Sequence, residues 1–409
     1  MTTRHSTLKP RLLLKPRFLH LFLILIIPVS CNNPNRVTDS EKGNSITLPY
    51  RIDIEENIKN FKSFPLSTLG QEIEYVILET SPRSLIRKIN QIHFTDNYIF
   101  ISDFDRLVQF DRSGKFIRQV GGAGRGPTEY IHISDFCVDE INEKIYLKAW
   151  GINTIKEFDF DGKFIHSFKI SFSSLQFLKS DKNSYTFIIP NNSGSLEAEN
   201  RLIVTDSTGT VKMKIKNYNV YHKSNIIATK IPLYYFKDTI RINESRVDTL
   251  NSFVNGKHIP YAIFNLGKYK MDPDQSIPFE TSAREELNNR VKDKIWIWSI
   301  NENNTYLFLT FNIGLSDSSA YAFYNKLDSK FAFLDKSGFD DDLGIGIPFW
   351  PRYIYHDSLL VDYQDAFKVL KHMNKISKSK NYQSTERINE LSKTLKETSN
   401  PILILIKSR

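Results

Sequence analysis

Phe110-Asp111-Arg112-Ser113-Gly114-Lys115-Phe116-Ile117 returns 48 positions later as Phe158-Asp159-Phe160-Asp161-Gly162-Lys163-Phe164-Ile165. Both copies place Asp three residues ahead of Gly, between aromatic and β-branched residues. That is the pattern of two strands joined by a tight turn whose glycine supplies positive φ. A weaker copy, Thr205-Asp206-Ser207-Thr208-Gly209-Thr210-Val211, lies 47 positions further on, and another 47 lead to Gly256 in Val254-Asn255-Gly256-Lys257. The next hairpin, Asn325-Lys326-Leu327-Asp328-Ser329-Lys330, comes about 25 residues late. An insertion from Met271 to Lys294, helical over Ala283 to Val291, accounts for the slip.

A period near 47 built from short strands and hairpins predicts four-stranded propeller blades and is too long for a leucine-rich or ankyrin repeat. The expected fold is all-β, a six-bladed β-propeller over residues 50–409. An open ring would leave unpaired strand edges, so the chain ends must meet. The apolar run Ile402-Leu403-Ile404-Leu405-Ile406 is expected to pair with Ile73-Glu74-Tyr75-Val76-Ile77-Leu78 in a blade shared by both ends. Between residues 365 and 398 the pattern turns helical, with Phe367, Leu370 and Met373 and then Ile388, Leu391 and Leu395 at spacings of three and four. Asn400-Pro401 stops those helices.

Composition agrees with a globular chain: 409 residues, 40% apolar, 55 basic against 46 acidic side chains and two cysteines, too few for a disulfide scaffold. Residues 1–30 read as an export signal, in which Arg4, Lys9, Arg11, Lys15 and Arg17 precede an apolar run from Phe18 to Val29 that is too short to span a bilayer. Those five residues supply five of the nine net positive charges. Ile27-Pro28-Val29-Ser30-Cys31 resembles the lipobox of bacterial lipoproteins, with Pro28 where that motif usually has Leu. The resemblance implies acylation at Cys31, a tether over 31–49 and stable anchoring through more than one chain. The other cysteine, Cys137, reads as a small buried hydrophobe.

Gly121-Gly122-Ala123-Gly124-Arg125-Gly126-Pro127-Thr128-Glu129-Tyr130 follows the first repeat. It resembles the G-x-G-R-G-P-x-E-Y signature of six-bladed β-propeller lipoproteins of Bacteroides and its relatives. Ile77-Leu78-Glu79-Thr80, Asp340-Asp341-Asp342, Pro348-Phe349-Trp350-Pro351 and Asn400-Pro401-Ile402-Leu403 extend the resemblance over roughly residues 50 to 407. It implies the same fold and source, and carries over no catalytic residue, because that family is largely of unknown function.

The glycine run lacks the Gly-Lys-Ser/Thr ending and the helix that a phosphate loop needs. It reads as a connection between blades, closed by an Arg125–Glu129 ion pair, at the mouth where Arg125, Glu129 and Tyr130 are candidate ligand contacts. Trp350, in a loop-like stretch, is a further candidate for an exposed contact. Trp296 and Trp298 alternate along one strand and so share a face; they read as core between blades, with a stacking platform for a sugar as the other possibility. Asp340 to Asp342 offer oxygens to calcium but lack the alternating spacing of a calcium loop, so a solvated turn is expected. The nine histidines show no i, i+4 pair of a helical zinc site. Neither a cofactor nor a metal is implied. Lys368, Lys371, Lys375, Lys378 and Lys380 read as a solvated helix face, with anionic lipid as the other possibility.

The sequence shows no grouping of nucleophile, base and orienting residue. The expected role is a non-catalytic binding module for a glycan, a peptide or an envelope protein, joined to the membrane by its N-terminal lipid. The expected location is the periplasm-facing leaflet of the outer membrane, with no nucleic-acid partner. The alternative is a hydrolase or lyase acting on glycan or peptide at the central mouth.

Overall fold

A computed structural model describes residues 48–181, 183–190, 197, 199–217, 232–244, 247–271, 281–314, 319–378 and 386–408; the signal segment, Cys31 and Lys380 lie outside them. Six antiparallel blades succeed one another along the chain. Blade 1 is Gln91–Phe94, Tyr98–Ser102, Leu107–Asp111 and Phe116–Val120. Blade 2 is Ile133–Asp139, Lys144–Ala149, Thr154–Asp159 and Phe164–Lys169. Blade 3 runs from Gln176–Asp181 to Val211–Lys216, blade 4 from Leu233–Phe236 to Lys257–Asn265, and blade 5 from Ile295–Glu302 to Lys330–Leu334. In blade 6, Tyr353–Tyr355, Leu359–Gln364 and Ile402–Ser408 are joined by Gly70–Ile77 from the other end of the chain. The pairs Ile402 with Ile77, Leu403 with Val76 and Ile406 with Ile73 set the closing register. The protein is a six-bladed β-propeller.

The repeated turn explains how the blades stack. Asp111 Oδ1 accepts from the Ser113 and Lys115 N–H groups at 2.9 and 3.0 Å and so closes the turn. Gly114 has φ 88°, and a Cβ there would lie 2.5 Å from the Ile77 carbonyl oxygen of the preceding blade. Gly209 does the same, with φ 85° and a virtual Cβ 2.2 Å from the Lys169 oxygen. Glycine is therefore needed twice over, for backbone conformation and for close approach between neighbouring blades.

Six apolar clusters fill the seams between successive blades, and a seventh lies beneath the helices of blade 6. Cys137 is buried in the seam of blades 2 and 3, and burial pushes its thiol pKa up. The inner strands are also tied by polar groups. Asp135 of blade 2 accepts from Gln91 Nε2 of blade 1 and, at 2.7 Å, from the Phe177 N–H of blade 3. Burial pushes its carboxyl up to about 7. Nearby His93, packed edge-on against Phe136 at 4.8 Å, is driven down to about 4 by burial.

The N-terminal segment covers outer edges of the ring, which the sequence reading did not anticipate. Tyr50–Asp53 adds a parallel fifth strand to blade 4 and Phe61–Lys62 one to blade 5. The Asp340–Asp342 turn holds that segment in place and is not simply solvated. Asp342 accepts from the Ser67 N–H and hydroxyl at 2.9 and 2.6 Å, and Asp340 from the Ser63 hydroxyl. Asp341 accepts from the Gly344 and Gly346 N–H groups at 2.7 and 2.9 Å. Among the described residues no three His, Cys, Asp or Glu side chains are grouped to hold a metal ion.

Helix α1 (Thr281–Val291) lies in the crossover from blade 4 to blade 5, within the expected insertion. Helices α2 (Ala366–Ile376) and α3 (Glu386–Thr394) precede the closing strand. Ala366, Val369, Met373, Leu391 and Leu395 pack with Ile345 and Ile402. The buried stripe of α2 differs from the expected one, since Phe367 is 48% exposed beside Lys371. No helix among the described residues is long and apolar enough to cross a membrane.

Candidate functional site

Within each blade the turns between strands one and two and between three and four share one face of the ring. The turns between strands two and three share the other face with the crossovers. On this crossover face a cleft of about 130 Å³ lies at the seam of blades 5 and 6. A β-bulge creates it. Ile297 pairs with Phe311 and Ser299 with Thr310, so Trp298 is an extra residue without a partner in the ladder. A bulge bends its strand and re-aims side chains, here bringing Ser299 and Asn301 onto the face of Trp298. Trp296 stays in the core at 5% exposure with its Nε1 lacking a hydrogen-bond partner, whereas half-buried Trp298 lines the cleft. Both indoles stand on the face toward blade 6, as their alternation predicts; what differs from the expectation is that Trp298 is half-buried beside the cleft and not core.

Ser299 and Asn301 of the same strand, Thr310, Tyr321 and Arg352 complete the argument for what the cleft can hold. Trp350 borders it as well, but is not the exposed contact expected from its loop-like context. It is 2% exposed, stacked on Phe339 and edge-on to Tyr321 at 5.0 Å. Its Nε1 donates to Thr310 Oγ1 at 3.1 Å. Arg352 Nε donates to Asp362 Oδ1 at 2.6 Å, and Asp362 Oδ2 also takes the Trp350 N–H at 3.2 Å. Burial pushes the Asp362 carboxyl above its usual range, against the pull of Arg352. The single cation beside the cleft is thus balanced by a buried anion, and the remaining lining is hydroxyl, amide and aromatic. Such a surface suits a neutral polar ligand with one flat face.

The other sequence candidates lie apart from this cleft, in the connection between blades 1 and 2. Gly122–Ala123 pairs in parallel with Glu129–Tyr130. Tyr130 is 1% exposed, donates to the Val120 oxygen at 2.6 Å and accepts from the Leu107 N–H at 3.1 Å. Burial pushes its phenol up to about 12. Glu129 Oε2 accepts from the Gly126 N–H at 2.8 Å, while Lys156 donates to the Gly126 and Pro127 oxygens at 3.0 and 2.6 Å. A Cβ on Gly124 would meet Glu129 Oε2 at 2.0 Å. The loop is therefore closed by a carboxylate on backbone, not by the expected Arg125–Glu129 pair, and Arg125 is exposed. Ser299, Asn301, Thr310, Tyr321 and Arg352 escaped sequence reasoning as site residues, and Trp298 reads in sequence as core, with a sugar platform as the alternative. The signal available was the alternation of Trp296 and Trp298, which places both indoles on one face of the strand.

Propellers of this architecture form the class to which fold and cleft assign the chain. The family model described as a domain of unknown function, DUF4934, matches residues 49–407, and the chain belongs to that family. Among solved structures it is similar to a Bacteroides fragilis protein described as exported. The two share 18% identity and a TM-score of 0.68, over 88% of this chain and 99% of that one. A member of the DUF4221 family from Bacteroides vulgatus shares 11% identity and a TM-score of 0.46, over 64% of this chain and 84% of that one. No curated protein matches the sequence.

Proposed function

We propose that this chain is a non-catalytic binding module of the bacterial envelope whose cleft between blades 5 and 6 takes a neutral saccharide ring. The observation that carries the reading is half-buried Trp298 beside hydroxyls and amides, with the bulge bringing Ser299 and Asn301 onto its face of the strand. The cleft, at about 130 Å³, is somewhat smaller than the ~150 Å³ cavity that encloses benzene, so it takes one face of a six-membered ring and leaves the rest in solvent. A carbohydrate presents C–H groups to an indole face and hydroxyls to Ser299, Asn301 and Thr310.

Exposing the full-length protein to a panel of oligosaccharides and short peptides in a thermal-shift assay tests this. A ligand bound only by the folded state at a hundred times its dissociation constant adds about 2.7 kcal/mol. The expected result is a rise in Tm with at least one saccharide, abolished in Trp298→Ala. A rise with peptides alone, or one that survives Trp298→Ala, overturns the saccharide cleft.

The proposed address is the outer membrane, facing the periplasm, with the lipid on Cys31 as the contact with the bilayer. The basic and then apolar N-terminus, the Ser30-Cys31 junction and the exported Bacteroides fragilis relative support it. Cys31→Ala should abolish palmitate labelling in cells and move the protein out of the membrane fraction. Unchanged labelling removes the anchor from the proposal.

A further inference from the structure

On the crossover face of blades 1 and 2 the chain exposes aromatic side chains in a conformation that folding alone does not favour. Phe104 sits in the turn between the second and third strands of blade 1 with φ 78° and 40% of its surface exposed. A non-glycine residue in the left-handed region costs about 1–2 kcal/mol. Its ring stacks on His132 at 4.7 Å and 19°, and Trp150, 64% exposed, lies 6.2 Å away. Backbone bonds hold the group together: Ile133 N–H donates to the Phe104 oxygen at 2.6 Å and Trp150 N–H to the His132 oxygen at 2.8 Å. Asp105 fixes the imidazole through Nδ1 at 2.8 Å and pairs through its other oxygen with Arg87. Strain and lost burial therefore coincide at Phe104, while Trp150 beside it is exposed, and hydrogen bonds and an ion pair hold the group in place. That combination marks a prepared surface.

From this geometry we infer that Phe104, His132 and Trp150 form a second saccharide-binding platform, separate from the cleft of blades 5 and 6. Charge decides the ligand class. A cationic ligand at an aromatic surface is best served by an unspent carboxylate, but Asp105 is already matched by Arg87 and His132. An anion would need an unspent guanidinium, and Arg87 is engaged by Asp105. What remains is a neutral ring that stacks on Trp150 and Phe104 and places hydroxyls beside the polar edge of Asp105, Arg87 and His132.

Affinity electrophoresis of the full-length protein through gels containing laminarin, xylan, mannan or soluble peptidoglycan strands tests the platform. The wild type should be retarded by at least one of these polymers, and Trp150→Ala should weaken that retention at least tenfold while leaving Tm unchanged. Phe104→Gly supplies a readout that a structural role would reverse. Glycine adopts the left-handed conformation freely, so stability should hold or rise while retention falls. Retardation that survives both substitutions, or none with any polymer, overturns the platform. Scoring Trp298→Ala in the same gels separates the two sites: loss there alone supports the cleft and sinks the platform, and loss only in Trp150→Ala and Phe104→Gly does the reverse.

Discussion

Ending the chain after Asn400 should abolish cooperative folding. The deleted strand is the third of blade 6, paired on one side with Leu359–Gln364 and on the other with Gly70–Ile77. Its five apolar side chains are at most 3% exposed, because the blade is covered on both faces. Leu403 and Leu405 enter the seam with blade 1, Ile404 and Ile406 the seam with blade 5, and Ile402 the cluster under the helices. At about 1.5–3 kcal/mol for each buried aliphatic side chain, the loss is on the order of 10 kcal/mol. That equals the entire stability of a typical domain. Two further strands would be left with unpaired edges, and the N-terminal strand would lose its only neighbour in the sheet. The expected readout is loss of the near-UV circular dichroism signal and of any sharp thermal transition. A synthetic peptide of residues 399–409 added in trans should restore part of both. Cooperative unfolding of the truncated chain within a few degrees of the full one would refute closure by this strand.

Asn400 shows how the closure is latched. Its fully buried side chain accepts from the Ile86 N–H at 2.7 Å and donates to the Glu79 and Ser84 oxygens at 2.8 and 2.9 Å. One residue thus joins the start of the last strand to the segment that leads from the N-terminal strand into blade 1.

The closing strand was legible in the sequence for the same reason that its loss is severe. A strand buried on both faces must be apolar at every position, and five consecutive aliphatics can be little else when preceded by Asn-Pro. The hairpins were legible because their glycines answer to a local demand, the positive φ that Gly114, Gly162, Gly209 and Gly256 all adopt. The fifth strands on blades 4 and 5 were not, since Tyr50–Asp53 and Phe61–Lys62 are four and two residues long, and even the alternation of Tyr50-Arg51-Ile52-Asp53 is too brief to mark a strand. The cleft was hidden for a physical reason too. Side-chain direction in a strand is inferred from a period of two, and the bulge puts Ser299 and Asn301 on the face of Trp298 without a local signature. Trp350 misled in the opposite sense. Its neighbours Phe349 and Pro351 look like a loop, and only contact with Thr310, forty positions away, accounts for its burial.

Replacing Glu302 by Gln should destabilise the protein by about 3–5 kcal/mol, the range for leaving a buried charge without its partner. The Glu302 side chain is fully buried in the seam of blades 4 and 5. Its Oε1 pairs with Lys326 and accepts from the Tyr261 hydroxyl, and its Oε2 accepts from the Tyr234 hydroxyl at 3.0 Å. Arg241 Nε lies 3.7 Å from Oε2. One carboxylate therefore faces two buried cations. The aromatic rings share the excess: Arg241 lies 3.7 Å over Tyr261 and Lys326 4.1 Å over Phe236. Burial drives the Lys326 ammonium pKa down, which makes its anionic partner the group that keeps the cluster charged. Glutamine preserves the shape and removes that anion. Adding Lys326→Met to Glu302→Gln should recover part of the loss, because one unmatched cation is then gone and the remaining guanidinium still rests on Tyr261. Urea unfolding of the wild type, the single variant and the double variant measures both effects. A single-variant loss below about 1 kcal/mol, the value of an exposed pair, would show that water reaches the cluster and that the seam does not depend on it.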